Sequence, residues 1–176
     1  MSALTEAMVI NGTVLFATLE ADLGPHRKIG WFRLLRSPIV IALIIPLFLD
    51  KPVTHGNGLL VELAGIAAGL LGGLLVSALI RVYPSPRTGR PVTAAGLPYA
   101  LTWLVIVGAR AAFSVGATDW FPAQLGQWSV AHQVSGAAIT DGLIFMAITM
   151  VLIRTASLAA RAARLRSAPA PVEVGA

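Results

Sequence analysis

The fold is decided by the stretch LLVELAGIAAGLLGGLLVSALI, residues 59–80, in which Glu62 is the single charged side chain. An α-helix rises 1.5 Å per residue, so it needs about 20 apolar residues to cross the ~30 Å hydrocarbon core of a bilayer. The stretch meets that length and predicts a transmembrane helix. The whole chain agrees, because 56% of its 176 residues are hydrophobic, 12% are charged and the mean hydropathy is +0.79.

Two more stretches support the same prediction. Residues 94–115 remain apolar around Arg110, and residues 136–155 remain apolar around Asp141, with Arg154 near their end. Lipid must therefore be the solvent for most of this chain.

Two weaker stretches complete the pattern. Residues 4–19 are diluted by polar residues such as Asn11, and residues 36–50 are short enough to form a tilted or re-entrant element. The sequence predicts an all-α fold, a polytopic transmembrane helical bundle of about five helices that form one domain, residues 1–166. Residues 167–176 are predicted to be a disordered cytoplasmic tail. The spans are predicted at residues 4–19, 36–50, 59–80, 94–115 and 136–155.

Basic residues predict the orientation, because the cytoplasmic loops of membrane proteins carry the excess of Lys and Arg. Of the 13 basic residues, 11 fall on one side of a five-span chain, Lys51 falls on the other side and Arg110 lies inside a span. Removing either weak span would place basic clusters on opposite sides. We therefore predict a multi-pass protein of a bacterial cytoplasmic membrane, with its N-terminus outside and its C-terminus in the cytoplasm. The alanine and arginine run at residues 155–166 is predicted to continue the fifth helix into the cytoplasm. The 11 residues are Arg27, Lys28, Arg33, Arg36, Arg81, Arg87, Arg90, Arg154, Arg161, Arg164 and Arg166.

Two connections between the spans carry predicted features. Residues 83–91 (YPSPRTGRP) are interpreted as a Pro and Gly turn that cannot support a fold. Within residues 116–135, Leu125, Trp128 and His132 share one helical face. This pattern predicts a short helix in the outer interface, which acts either as an aromatic anchor or as a lid over an outer cavity.

Small residues recur at every fourth position of the third segment, at Gly65, Gly69, Gly73 and Ser77. Such a ridge lets a second helix approach to backbone contact, where van der Waals packing holds transmembrane helices together. The expected partner is the second or fourth helix of the same chain, or another copy of the chain. The intramolecular contact is favoured, because a small bundle has to pack its own helices first.

Four ionisable residues, Glu6, Glu62, Arg110 and Asp141, are expected at a similar depth in the outer half of the bilayer. Charges at that depth are costly, so they usually face the protein interior and pair, and Arg110 with Asp141 or Glu62 is the expected pair. Two interpretations stay open. In one, the pair is structural and fixes how the fourth and fifth helices dock. In the other, a carboxylate without a partner binds a cation or a proton, and the cluster is a substrate site.

The sequence excludes several kinds of chemistry. It contains no Cys, so disulfides, thiolate metal sites and thiol redox reactions are ruled out. It lacks a phosphate loop, a nucleophile elbow, an HExxH motif and a dinucleotide fingerprint, so no catalytic residue and no cofactor is predicted. His55 and His132 lack ligand spacing, so no metal is predicted. The net charge of +5 lies in loop clusters, which argues against nucleic acid as a partner.

The chain combines an opening helix, a basic link (HRKIGWFRLLR, residues 26–36), a short second helix with an internal proline and a glycine-rich third helix. A basic turn and a fourth helix that ends in arginine (WLVIVGARAAF, residues 103–113) follow. In this order the features resemble the CcdC-like group of small bacterial membrane proteins, over residues 7–155. The resemblance implies an association with cytochrome c maturation. It matches Arg110 to a family feature and implies no catalytic residue.

These features together favour a non-enzymatic integral membrane protein. We expect a scaffold, an assembly factor or a subunit of a membrane complex, with the lipid bilayer and a membrane-protein partner or further copies of itself as partners. A small oligomeric transporter or channel that uses the outer charge cluster is the alternative. An intramembrane enzyme is the third possibility.

Overall fold

The computed structural model describes residues 56–167 and, ahead of them, residues 12, 15–16, 18–20, 22–28 and 39. Within the first predicted span, the described residues are helical. The rest of that span, nearly all of the second predicted span (36–50) and the predicted tail beyond Ser167 lie outside the described residues. The five-span count and the orientation therefore stay predictions.

Within residues 56–167 the chain forms four α-helices: α1 (Asn57–Ala78), α2 (Leu97–Val115), α3 (Pro122–Ala131) and α4 (Gly136–Ser167). A π-helical turn, Gly116–Trp120, continues α2. The stretches Asn57–Ala78, Leu97–Trp120 and Gly136–Ser167 are each long and apolar enough to cross a membrane. The prediction of a mostly helical chain is thus confirmed, and helices long and apolar enough to cross a membrane are present at three of the five proposed positions.

The exposed faces of these helices are apolar, as a lipid solvent requires. On α1, Leu60, Leu71 and Leu75 are exposed, and on α2 Leu104 and Val105 are exposed. In water, exposed apolar surface of this kind would promote aggregation. In a bilayer it contacts lipid tails, which are as apolar as leucine. The composition of these segments is therefore explained by their surroundings as well as by their internal packing.

A small antiparallel sheet joins α1 to α2, and the sequence analysis did not predict it. Strand β2 (Ile80–Pro84) follows α1, and β3 (Pro91–Ala95) leads into α2. Strand β1 (Gly24–Lys28) pairs with the other edge of β3, so the strand order is β1-β3-β2. The predicted spans 59–80 and 94–115 therefore each include residues that belong to a strand, because short apolar strands look like helix ends in a hydropathy pattern.

The Pro and Gly turn is present, but the prediction that it cannot support a fold is wrong. The backbone NH of Ser85 donates to the carbonyl of Arg90 at 2.9 Å, and this bond closes a β-hairpin. Gly89 has a φ of 65°, a left-handed conformation that glycine adopts without strain. The turn supports a fold because the strands on both sides of it pair in register.

The hydrophobic core lies where α1, α2 and α4 meet next to the sheet. It is built from buried residues of all three helices and both hairpin strands: Val76, Ile80, Ala95, Tyr99, Trp103, Val107, Met150 and Leu158. We refer to this end of the molecule as the sheet end. The other end, where α1 and α4 begin and α3 lies, is the α3 end.

Candidate functional site

The glycine ridge of α1 packs against α4 of the same chain. A Cβ atom built on Gly65 would overlap the carbonyl oxygen of Gly142, and one built on Gly73 would lie 2.8 Å from the carbonyl oxygen of Met150. Real Cβ atoms are almost never that close, so only glycine permits this backbone contact. The expected intramolecular partner was the second or fourth helix, and the structure corrects that expectation to the fifth predicted helix.

The pairing runs in the same direction along both helices. Successive glycines of α1 meet successive turns of α4, with Gly65 at Gly142, Gly69 at Met146 and Gly73 at Met150. Parallel packing fits a chain that crosses back once through α2 between these two helices. The sequence signal that could have identified α4 is Gly142, which offers a matching small surface.

The last ridge residue, Ser77, lies where α1 ends and α4 continues past it. Its hydroxyl donates to the Gly73 carbonyl at 2.6 Å, within the helix. Arg161 of α4 donates through Nη1 to the carbonyl of Ser77 at 2.8 Å and to that of Ile80 at 3.0 Å. A guanidinium at this place gives the Ser77 carbonyl at the end of α1 and the Ile80 carbonyl at the start of β2 a charged donor, and it offsets the negative end of the helix dipole.

The predicted charge cluster is only partly assembled. Glu62 and Asp141 are 4% and 5% exposed, and they flank the contact between Val61 and Gly142 near the beginning of α1 and α4. Both carboxylates have interaction partners. Two of the four predicted residues are therefore buried beside the same helix contact, and Glu6 lies outside the described residues.

Arg110 does not form the expected ion pair. Among the described residues it makes no ion pair with Glu62 or Asp141, and its buried Nε has no hydrogen-bond partner. Ile106 lies opposite Gly72, so Arg110, one turn further along the antiparallel α2, is about 9 Å along the axis from the level of Glu62. The helical turn at 116–120 extends α2 beyond its predicted end, so Arg110 lies further from the end of that helical stretch than the sequence suggested.

A second charged cluster, which the sequence analysis missed, lies buried at the sheet end. The carboxylate of Asp22 accepts hydrogen bonds from the Tyr99 hydroxyl and from Nη2 of Arg154, with which it also forms an ion pair. Asp22 is 3% exposed, Tyr99 0% and Arg154 8%. The three residues come from the end of the N-terminal segment, the first turn of α2 and the middle of α4. We refer to them as the Asp22 cluster.

The Asp22 cluster is stabilised by charge and by packing. Isolated buried charges are strongly disfavoured, so the carboxylate and the guanidinium depend on one another. The ring of Trp103 meets Tyr99 edge to face at 6.4 Å, one helical turn along α2. Nε1 of Trp103 and Nε of Arg154 are buried donors without a hydrogen-bond partner in the structure. Chemically, the cluster can lock three chain segments together around one carboxylate.

The sequence contained only a weak signal for this cluster. Asp22 stands just before the basic link, and Arg154 was counted among the charges that predict orientation. A buried carboxylate and a surface carboxylate look alike in a sequence, so only the packing of the three segments distinguishes them.

The short helix predicted within residues 116–135 is present as α3. The rings of Trp128 and His132 stack at 4.8 Å, and the His132 carbonyl accepts a hydrogen bond from the Asn57 side chain at 2.7 Å. This bond fixes the end of α3 to the beginning of α1. Within the described ranges no three potential ligands come together in a metal-binding group, and His55 lies outside those ranges.

Among its described residues, the structure thus contains two sets of buried charged side chains: Glu62 and Asp141 near the beginning of α1 and α4, and the Asp22 cluster at the sheet end. Models of known protein families, curated proteins and solved structures were compared with this chain, and none of them matches it.

Proposed function

We propose that this protein is a non-enzymatic component of a membrane complex, a scaffold, an assembly factor or a subunit, in a bacterial cytoplasmic membrane. One observation carries the proposal: α1 and α4 are in backbone contact from Gly65 to Gly73, so protein backbone fills the space between them. Tight helix packing of this kind supports a rigid protein that binds its partners through its outer surfaces.

The sheet end is the surface that we propose for the partner. Arg81, Arg87 and Arg90 are exposed on the hairpin, and Arg164 and Arg166 are exposed at the end of α4. The excess of basic residues on this side favours a cytoplasmic position. A partner with acidic side chains is the natural complement, because opposite potentials steer association and select partners. The resemblance to the CcdC-like group belongs to the same proposal and would make the complex one of cytochrome c maturation.

Native mass spectrometry of the protein, released gently from its own membranes, tests the proposal. We expect a stoichiometric second protein in the spectrum. The double variant Arg87→Glu/Arg90→Glu should lose that protein, because it reverses charge on the proposed surface. The double variant Gln124→Glu/Gln127→Glu, which adds negative charge on exposed positions of α3 at the other end, should retain it. A spectrum with only this chain, as a monomer or homo-oligomer, contradicts the proposal.

A small transporter is the second candidate, because Glu62 and Asp141 are both buried near the beginning of α1 and α4, the end that the charge pattern predicts to be outside. Intramembrane carboxylates commonly mark proton or ion pathways. If they do so here, Glu62→Gln and Asp141→Asn should each abolish the proton flux that an ion gradient drives into proteoliposomes. The denaturant concentration at the midpoint of unfolding should stay that of the wild type. If the carboxylates are structural, both variants lower that midpoint, and the transporter candidate is rejected.

A further inference from the structure

A cleft of about 550 Å³ opens at the sheet end, between the end of α1 and the beginning of α2. Arg81 is its charged lining residue, and small or apolar residues such as Ala78, Leu79, Gly96 and Pro98 form most of the remaining wall. Two of the candidate membrane spans end here, at Ala78 and Leu97, so the cleft lies at the level of a membrane surface.

The charges around the cleft favour an anion. Arg81 is exposed at the cleft. The end of α1 would add partial negative charge, but Arg161 donates to the carbonyls of Ser77 and Ile80 and offsets it. The N-terminus of α2 at Gly96 adds partial positive charge on the opposite wall.

Below the cleft, toward the middle of the spans, the surface is apolar. Leu75 precedes Leu79 by one helical turn on the same face of α1, and Leu101 follows Leu97 by one turn on α2. Leu75, Leu97 and Leu101 are all exposed. A ligand in the cleft would therefore find a positive site at the membrane surface and an apolar path into the bilayer directly beneath it.

We propose that this cleft binds one anionic phospholipid, with the headgroup phosphate at Arg81 and an acyl chain along Leu75 and Leu101. The inference goes beyond the proposed function, and it requires only that α1 and α2 span the membrane. A single arginine near a membrane surface changes anionic lipid binding by about fivefold, so the effect is large enough to measure.

The test is native mass spectrometry of the full-length protein in detergent with equal amounts of phosphatidylglycerol and phosphatidylcholine. We expect one phosphatidylglycerol to be retained per chain, in preference to phosphatidylcholine by about fivefold. Arg81→Gln should remove the preference. Arg87→Gln is the matched control, since it removes the same charge from the same hairpin outside the cleft, and it should keep the preference.

A second variant separates the cleft from the charge. Ala78→Leu leaves Arg81 in place but narrows the cleft between α1 and α2, and we expect it to lower retention of phosphatidylglycerol. Three results would overturn the inference. They are a wild type without preference, an equal loss in Arg81→Gln and Arg87→Gln, and binding of glycerol phosphate that matches binding of the intact lipid. The last result would assign the cleft to a soluble phosphate compound.

Discussion

The contact between α1 and α4 makes a sharp prediction for Gly65→Ala. The new methyl group would overlap the carbonyl oxygen of Gly142 and lie 2.8 Å from its carbonyl carbon, whereas ordinary contact begins near 3.4 Å. Backbone cannot rotate away as a flexible side chain does. The two helices would therefore have to move apart by at least about 0.6 Å along a contact that also includes Gly69 and Gly73.

The magnitude follows from two opposing effects. Overpacking a well-packed contact costs about 1–3 kcal/mol of unfolding free energy. Alanine in place of glycine returns up to about 1 kcal/mol through helix propensity. Gly108→Ala on α2 is the matched control, because it makes the same replacement within a candidate span but its Cβ would meet nothing within 4 Å. The difference in unfolding free energy between the two variants isolates the cost of overpacking, so Gly65→Ala should be less stable than Gly108→Ala by about 1–3 kcal/mol.

Reversible unfolding in mixed detergent micelles measures this difference, with tryptophan fluorescence as the signal because Trp103 is buried in the core. We expect Gly108→Ala to unfold at or above the wild-type denaturant concentration and Gly65→Ala clearly below it. If the two variants unfold together, the α1–α4 backbone contact is not as close as described, and the argument for a rigid helix pair fails.

Three further predictions concern the sheet end and use the same unfolding measurement. Asp22→Leu should lower the free energy of unfolding by about 3–5 kcal/mol, because it leaves Arg154 buried without its counter-ion. The double variant Asp22→Leu/Arg154→Met should recover most of that loss. A double variant as unstable as the single one would contradict the ion pair. Tyr99→Phe should lower the free energy of unfolding by about 1.5–3 kcal/mol, since it removes a hydrogen bond to a charged carboxylate. An unchanged free energy would mean that Tyr99 does not donate to Asp22. Arg161→Met should lower the free energy of unfolding by about 1–3 kcal/mol, because the carbonyls of Ser77 in α1 and Ile80 in β2 lose this donor. The variant Arg164→Met at an exposed neighbour should change it by less than about 0.5 kcal/mol.

The helical part of the fold could be predicted because hydrocarbon leaves a chain few choices. An apolar segment that crosses a bilayer has to satisfy its backbone hydrogen bonds internally, so length and composition are enough to predict a helix. That reasoning found α1, α2 and α4, and the spacing of Leu125, Trp128 and His132 also found α3. The hairpin was not predicted from the sequence, because its strands are five residues each and lie beside much longer apolar runs.

The sequence by itself determined which helix face would be close-packed, because glycines four residues apart must share one face of a helix. It also determined that Glu62 and Asp141 need partners, since a charge in lipid is costly wherever its helix lies. Only the tertiary structure decided that α4 meets the glycine ridge, that Arg110 stands apart from both carboxylates, and that the buried ion pair joins Asp22 to Arg154. The physical reason is that periodicity fixes which residues share a face of one helix, whereas contacts between residues 132 positions apart depend on how separate segments pack.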